Sequence, residues 1–237
     1  MSLPVLEVCF SPKLLPIYEV KRKIVVVIDV LRATSTICAA LANGISKVIP
    51  VKDVEDCKVF SGDNYLLAGE RHGKKIDGFE YGNSPYEYMN DAIKGKTLVL
   101  TTTNGTKSIE ISKEADIIVA GAFLNLNILC KWLKKQNKDV LLLCAGWKDK
   151  FNMEDSLFAG AVVNKVKNNF NIEFDASIAA EQLYMSAKDD LIGTLKKASH
   201  YQRLERMGIE KDMEYCLQLN EADVLPILKD NALVLED

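Results

Sequence analysis

Two polar residues follow the most apolar strand that the sequence predicts, and their types suit an anionic ligand. Ile24 to Ile28 is an unbroken run of β-branched residues, which favours a strand covered on both faces. The run ends at Asp29, whose carboxylate can bind a hard cation, and the guanidinium of Arg32 can form two hydrogen bonds to one anion. Because α/β proteins bind ligands outside the carboxyl ends of their strands, this stretch predicts a binding site.

The hydroxyl residues after Arg32 have two interpretations. Thr34 and Ser35 precede an apolar helical segment that is predicted to begin at Ile37, and a helix N-terminus favours an anion, so we assign both residues to substrate binding. Both are also common helix N-caps, in which case Asp29 is an ordinary turn residue. The sequence leaves these two interpretations open.

A second polar loop follows the strand predicted over residues 65–68. Glu70 is a candidate to orient or deprotonate an attacking water, and Arg71 is a candidate anion clamp, although the two can also form a structural ion pair. The Arg-His-Gly sequence at 71–73 resembles the signature of histidine phosphatases. That chemistry needs a second histidine, and His200 lies within a predicted helix, so the match is weak.

The sequence TTTNGT supplies donors for an anion. Thr103, Asn104, Gly105 and Thr106 precede a helix predicted over 107–112, where hydroxyls and backbone N–H groups can bind anionic oxygens. The same pattern is typical of a capped helix start that binds no ligand.

Glu154 and Asp155 supply metal ligands. They lie in the first turn of a helix predicted over 153–166, where the helix dipole also favours acids. Carboxylates suit magnesium better than zinc, and a chain with two histidines and no C-x-x-C pair excludes a histidine-rich zinc site and a zinc ribbon. We therefore expect Mg²⁺ as the cofactor.

Three stretches share one plan of strand, polar loop and helix, beginning at IVVVIDV, TLVLTTT and VLLLCAG. Recurring βα units predict a three-layer α/β/α fold with a largely parallel or mixed sheet, whose polar loops meet at one edge. No glycine- or proline-rich linker divides the chain, so we expect one compact unit over 1–237. Two subdomains, with the site in 1–170 and a mainly helical part in 171–237, are the alternative.

Composition limits the partners. The 237 residues have a net charge of −3, which argues against a nucleic-acid partner, and the longest apolar runs have the length of strands, which argues against a membrane span. The first ten residues lack the basic start and apolar run of a signal peptide, and the six scattered cysteines indicate reduced, buried thiols. We expect a cytoplasmic protein without a Walker-type ATP site, and a homo-oligomer on general frequency alone.

Taken together, the loops IDVLRATST, LLAGERHGKKIDGFEYGNSP, TTTNGT and CAGWKDKFNMEDSLFAGA resemble the 2-phosphosulfolactate phosphatase family, the magnesium-dependent enzymes of coenzyme M biosynthesis. The resemblance covers most of the chain. It implies hydrolysis of (2R)-2-phospho-3-sulfolactate to 3-sulfolactate and phosphate, in a fold peculiar to the family. The second motif usually reads G-E-R-G-G, so His72 replaces a glycine and is an improbable catalytic residue.

On this interpretation, Asp29 with Glu154 or Asp155 binds Mg²⁺, and Arg32 and Arg71 clamp the phosphate and the sulfonate or carboxylate. The loop of residues 103–106 binds anionic oxygens, and attack on phosphorus is by water or by Asp29 itself. Other 2-hydroxy-acid phosphates are further candidate substrates. Two alternatives stay open: a lyase or isomerase acting on a related phosphorylated acid, and a non-catalytic anion-binding module.

Overall fold

Ten strands form one sheet in the computed structural model, which describes residues 2–236. The strands are β1 Leu6–Cys9, β2 Ile24–Ile28, β3 Lys47–Pro50, β4 Tyr65–Arg71, β5 Lys74–Lys75, β6 Thr97–Thr101, β7 Ile117–Gly121, β8 Val140–Cys144, β9 Pro226–Lys229 and β10 Ala232–Leu235. The helices are α1 Ala33–Ala42, α2 Val54–Cys57, α3 Gly105–Ile111, α4 Leu126–Gln136, α5 Met153–Val166, α6 Asp175–Ala187, α7 Leu191–Leu195, α8 Ser199–Glu205 and α9 Glu210–Cys216. Short 3-10 helices cover Pro12–Ile17, Pro85–Tyr88, Asp91–Ile93 and Phe123–Asn125.

The strand order is β1-β8-β2-β7-β9-β10-β3-β6-β4-β5. β1, β8, β2 and β7 form one parallel block, and β3, β6 and β4 form another. The C-terminal hairpin of β9 and β10 joins the two blocks through antiparallel pairing. The sheet is therefore mixed, and helices cover both of its faces, which confirms the predicted α/β/α class.

The hairpin changes how the loops reach one another. Three antiparallel pairings separate β7 from β3, so the two blocks run in opposite directions along the sheet. The prediction that all βα loops leave the same edge is wrong in this simple form. Five pairings separate β2 from β6, and a strand twist of about 20–25° per pairing adds up to roughly 100–125° over them, so the two blocks are not expected to lie flat and opposed. Their loops still meet, because Gly105 after β6 lies against Asp29 after β2.

Side chains of β2 alternate between two cores. Val26 and Ile28 pack with α4, α5 and α6 on one face, whereas Val25 and Val27 pack with α1 and α3 on the other. All five residues of β2 are fully buried, as the β-branched run predicts. This central strand therefore delivers Asp29 from a position that packing fixes on both sides.

Several element boundaries differ from the sequence prediction. The first helix begins at Ala33 rather than at Ile37. The part predicted as mainly helical over 171–237 contains four separate helices, α6 to α9, and also the strands β9 and β10. β4 extends to Arg71, so Glu70 and Arg71 lie on a strand and not in a loop. α4 was not predicted at all.

The six thiols are in the reduced, buried state that the sequence predicts. All six cysteines are free and buried, and burial raises the pKa of the Cys9 thiol to about 11. Within residues 2–236, no helix is long and apolar enough to span a lipid bilayer.

Candidate active site

Four polar loops and one helix line a small cavity. The loops follow β2, β4, β6 and β8, and α8 supplies further side chains. The cavity volume is ≈ 20 Å³, which is room for about one water molecule. A wider groove of ≈ 600 Å³ beside Pro12–Ile17 contains none of the predicted site residues. The charged and polar side chains at the small cavity include Asp29, Arg32, Glu70, Asn104, His200 and Arg203.

Asp29 is buried at the centre of this arrangement, with 8% of its surface exposed. Its Oδ1 accepts a long hydrogen bond of 3.4 Å from the N–H of Ala33, and its own N–H donates to the hydroxyl of Thr34 at 3.1 Å. Burial raises the pKa of this carboxyl well above its ordinary value, and the nearby carboxylates of Asp155 and Glu70 raise it further. Burial and these carboxylates therefore favour the protonated form of the free Asp29 carboxyl.

Thr34 and Ser35 lie in the first turn of α1. The Thr34 hydroxyl accepts from the N–H of Asp29, and the Ser35 hydroxyl donates to the carbonyl of Val30 at 2.8 Å. Neither side chain lines the cavity. Because α1 begins four residues earlier than predicted, both residues lie inside its buried first turn and the N-cap position is Arg32, which makes no side-chain cap. The capping interpretation of Thr34 and Ser35 is therefore wrong, and their hydroxyls bond to the backbone of the segment that follows β2.

Glu70 ties two loops together. Its Oε1 accepts from the N–H of Thr103 and its Oε2 from the N–H of Gly73, both at 2.7 Å. The carboxylate is buried and faces the cavity. Because both carboxylate oxygens already accept hydrogen bonds from N–H groups, Glu70 holds the loops at Gly73 and Thr103 in place. This structural role is clearer from the contacts than the predicted role of activating a water.

Arg71 does not reach the cavity. Successive side chains of a strand point to opposite faces, so a strand that directs Glu70 inward directs Arg71 outward. The Arg71 guanidinium donates to the hydroxyl of Thr101 at 2.9 Å and to the carbonyl of Lys52 at 3.1 Å. The predicted role of Arg71 as an anion clamp therefore conflicts with its placement.

Arg32 lines the cavity but has a partner already. Its Nη1 forms a buried ion pair with Asp212 of α9, and its Nη2 donates to the carbonyl of Gly73 at 3.3 Å. Asp212 also accepts from the hydroxyl of Ser84 at 2.9 Å. The sequence analysis missed Asp212, because nothing local connects it to a residue 180 positions away.

The TTTNGT segment is largely occupied by its own hydrogen bonds. The N–H of Thr103 donates to Glu70, and the Thr106 hydroxyl accepts from the N–H of Thr102 at 3.2 Å and donates to its carbonyl. Asn104 lines the cavity and precedes α3. The Thr103 hydroxyl is buried without a hydrogen-bond partner among the described residues. Of the four predicted residues, Asn104 is the one placed to meet a ligand.

Asp155 connects the loops after β2 and β8. Its Oδ1 accepts from the N–H of Val30 at 2.9 Å, and its Oδ2 accepts from the N–H of Gly146 and from the amide of Asn152. Burial, followed by the charge of Glu154, raises the pKa of Asp155 to about 7. These bonds give Asp155 the role of a structural clamp.

Glu154 holds a histidine that sequence reasoning set aside. Its Oε1 is hydrogen-bonded to Nδ1 of His200 and accepts from the amide of Asn152 at 2.8 Å. Its Oε2 is buried without a partner among the described residues. The His200 ring stacks on the Trp147 ring with centroids 5.3 Å apart. The guanidinium carbon of Arg203 lies 3.8 Å from the centre of the Trp147 ring.

Arg203 was also missed, although the sequence contains a weak signal for it. His200 and Arg203 are three residues apart in the helix α8, which places them on one face. A polar pair at this spacing can be found by pattern. Nothing in the pattern shows that this face contacts Trp147.

A protein-family model matches the part of the chain that contains these loops. The family model described as 2-phosphosulpholactate phosphatase matches residues 9–231. The chain belongs to the 2-phosphosulfolactate phosphatase family. This membership confirms the resemblance of the four loops and the classification as a phosphoric monoester hydrolase.

Relatives in this family match most of the chain. A protein of Thermotoga petrophila is 44% identical over 222 residues, which cover 94% of this chain and 96% of the relative. A protein of Caldanaerobacter subterraneus subsp. tengcongensis is 42% identical, with 89% and 90% covered. A protein of Clostridium acetobutylicum is 41% identical, with 88% and 90% covered. Each is named a probable 2-phosphosulfolactate phosphatase.

The donor set of the family site suits a hard cation. Within residues 2–236, no three His, Cys, Asp or Glu side chains converge as a complete metal site. Mg²⁺ commonly uses one or two carboxylates and completes its shell with water and substrate phosphate. Glu154 has an unpartnered Oε2, and Oδ2 of Asp29 accepts no hydrogen bond from the described residues. These two carboxylates fit the ion, whereas the oxygens of Asp155 are occupied.

Replacing Gly105 by alanine is expected to lower kcat roughly 100-fold, because a displacement of about 1 Å at a catalytic group can have an effect of that size. A Cβ at Gly105 would lie 2.5 Å from Cβ of Ala33 and 2.9 Å from Oδ2 of Asp29. Steady-state phosphate release measures the loss. Adding Ala33→Gly removes the closer contact and is expected to restore part of kcat; no recovery in a folded double variant would contradict the steric explanation.

Proposed function

We propose that this chain hydrolyses 2-phosphosulfolactate to sulfolactate and phosphate in a Mg²⁺-dependent reaction at the cavity beside Asp29. The observation that supports the proposal is that two carboxylates, Asp29 and Glu70, and the guanidinium groups of Arg32 and Arg203 line one cavity. A small molecule with several anionic groups matches this set of groups, because guanidinium groups bind oxyanions directly and a cation held by a carboxylate binds the phosphate.

Asp29 is the residue we assign to Mg²⁺, with Glu154 as the second candidate ligand. Bound Mg²⁺ supplies charge neutralisation for the phosphate oxygens. The chain supplies the rest of the site: Arg32, fixed by Asp212, presents a rigid cation, and Asn104 presents an amide at the start of α3. Glu70 holds the two flanking loops through their N–H groups, which keeps these donors in place during the reaction.

Substrate binding requires the cavity to widen. Its present volume is ≈ 20 Å³, whereas small-molecule sites usually measure about 300 Å³ or more. α8 reaches the cavity through side chains, with His200 on Glu154 and Arg203 on Trp147. We expect the loops that line the cavity to move on binding, while Arg203 stays on Trp147.

Product analysis tests the reaction class. With phosphosulfolactate and Mg²⁺, phosphorus NMR is expected to show inorganic phosphate rising as the ester falls, with sulfolactate formed in equal amount. Phospholactate and phosphoglycerate are expected to react more slowly. Consumption of the substrate without phosphate release would instead support a lyase or isomerase, and tight binding without turnover would support an anion-binding module.

The stabilising effect of Mg²⁺ is expected to grow with pH. The raised pKa of Asp29 means that a proton competes with the cation, so binding weakens in acid. Differential scanning fluorimetry with and without Mg²⁺ is expected to show a Tm increase of several degrees at about pH 8 and about one degree or less at about pH 5.5. An equal increase at both pH values, or an unchanged response in Asp29→Asn, would contradict binding at Asp29.

The metal-free protein is expected to show the opposite trend. The pKa of Asp155 is about 7 in the folded state, above its unfolded value of about 4. The native state therefore binds more protons than the unfolded state between these values, and the free energy of unfolding falls as pH rises from about 4 to about 7. Denaturant titrations in EDTA measure this slope.

A further inference from the structure

Arg203 is a cation without an acidic partner at the cavity. Among residues 2–236 it takes part in no salt bridge, and its Nη1 makes a weak contact of 3.9 Å to the sulfur of Met207. Its Nε is buried without a hydrogen-bond partner in that part of the chain. A guanidinium with unused N–H donors beside a cavity is suited to an anion that enters with the ligand.

Trp147 fixes the orientation of this guanidinium. The central carbon of Arg203 lies 3.8 Å from the centre of the indole ring, within the range of a cation–π contact. The N–H groups of a guanidinium lie in its own plane, so one face can contact the ring while the edges remain available as donors. The aromatic contact therefore preorganises Arg203 and leaves its hydrogen-bonding capacity free.

Arg32 and Arg203 differ in what they can still bind. The charge of Arg32 is compensated by Asp212. The pKa of Arg203 is lowered chiefly by burial and also by the charge of Arg32, and the carboxylates of Glu70 and Glu154 raise it in part. Both guanidinium groups flank Gly73: Nη2 of Arg32 donates to its carbonyl, and a Cβ at Gly73 would lie 3.7 Å from Nη1 of Arg203. An oxyanion placed here would relieve the repulsion between the two cations.

We propose that Arg203, held on Trp147, binds the sulfonate of the substrate and thereby sets the preference for sulfonated 2-hydroxy-acid phosphates. The inference rests on the proposed function. The phosphate pairs with the cation proposed at Asp29, and the carboxylate is attached to the phosphorylated carbon. The sulfonate is carried on an additional methylene, so it can reach Arg203, whose Nε has no partner among residues 2–236.

The test compares two substrates in two variants. Arg203→Gln is expected to lower kcat/KM for phosphosulfolactate about 30-fold, mostly through KM, and to change kcat/KM for phospholactate, which lacks the sulfonate, by less than about threefold. Arg206→Gln, an exposed arginine on the next turn, is the matched control and is expected to change neither value. Equal losses on both substrates would assign Arg203 to the carboxylate or to folding and would overturn the proposal.

Trp147 gives a second test. The sulfonate preference is the ratio of kcat/KM for phosphosulfolactate to kcat/KM for phospholactate. Trp147→Phe keeps an aromatic face and is expected to keep most of this ratio. Trp147→Leu removes the face and is expected to reduce the ratio to about its square root. A Trp147→Leu variant with full preference would contradict the orienting role.

A binding measurement separates this inference from the reaction itself. Calorimetry of sulfolactate and of lactate needs no turnover, and the preference of the wild-type chain for sulfolactate is expected to disappear in Arg203→Gln. If phosphate release fails but this difference in binding is present, the proposed reaction is wrong and the sulfonate site stands. If phosphate release succeeds and the difference is absent, the reaction stands and the sulfonate site is wrong.

Discussion

Asp29→Asn is expected to lower phosphate release by about 1,000-fold and to remove its dependence on Mg²⁺. Asparagine keeps the volume of the buried side chain and one acceptor oxygen, but it cannot supply the negative charge that attracts the cation. The pKa of Asp29 is raised by burial and by neighbouring carboxylates, so the metal-free fold disfavours the charged form of this residue relative to its neutral form. Asparagine resembles that neutral form, and the Tm in EDTA is expected to be equal to or higher than that of the wild-type chain.

Measuring both the rate of phosphate release and the Tm distinguishes a lost metal ligand from a misfolded chain. Asp63→Asn, at an exposed position after α2, is the matched control and is expected to change neither rate nor Tm. Full Mg²⁺-dependent activity in Asp29→Asn would remove Asp29 from the proposed site. A lower Tm together with lost activity would point to misfolding, and Asp29→Glu then tests whether a carboxylate at this position restores the response to Mg²⁺.

Asp212→Ala is expected to be among the most destabilising single substitutions outside the hydrophobic core. It leaves the guanidinium of Arg32 buried without its partner and the hydroxyl of Ser84 without its acceptor. Breaking a buried ion pair from one side costs about 3–5 kcal/mol, which corresponds to a Tm decrease of about 10 °C in a chain of this size. Thermal and denaturant unfolding measure both quantities.

A double substitution distinguishes lost pairing from lost packing. Arg32→Met with Asp212→Leu removes both charges and is expected to recover most of the stability, although not the activity, because apolar replacements of a buried ion pair are often close to neutral. Asp189→Ala, an exposed acid after α6, is the control for a lost carboxylate. A Tm within about 2 °C of wild type for Asp212→Ala would show that the ion pair does not hold α9 against the β2 loop.

Local patterns were sufficient for the elements that form the sheet core. The β-branched run of β2 and the acids at the start of α5 predicted those two elements with their observed bounds. α4 was missed, although its buried residues Leu126, Leu129, Cys130 and Leu133 follow the three-four spacing of an amphipathic helix. The direction of the second parallel block could not be predicted, because it depends on where the C-terminal hairpin inserts.

The site residues that could be predicted are polar side chains at or just after the end of a predicted strand. Asp29, Arg32, Glu70 and Asn104 follow or end strands, and the fold brings all four to one cavity. Arg71 was misplaced because the predicted strand ended before it, so the alternation of side chains along β4 was not applied. His200, Arg203 and Asp212 come from helices late in the chain, and their contacts with Glu154, Trp147 and Arg32 are long-range packing that a local pattern does not contain.

The most direct test of the account is the initial rate of phosphate release from phosphosulfolactate with Mg²⁺, with EDTA, and after Mg²⁺ is restored. If Mg²⁺ bound at Asp29 is required, phosphate is released with Mg²⁺, the release stops in EDTA, and it recovers when Mg²⁺ is restored. In Asp29→Asn the rate is expected not to respond to Mg²⁺. A folded wild-type chain that releases phosphate equally well in EDTA, or that releases none under any of these conditions, would contradict a Mg²⁺-dependent phosphatase site at Asp29.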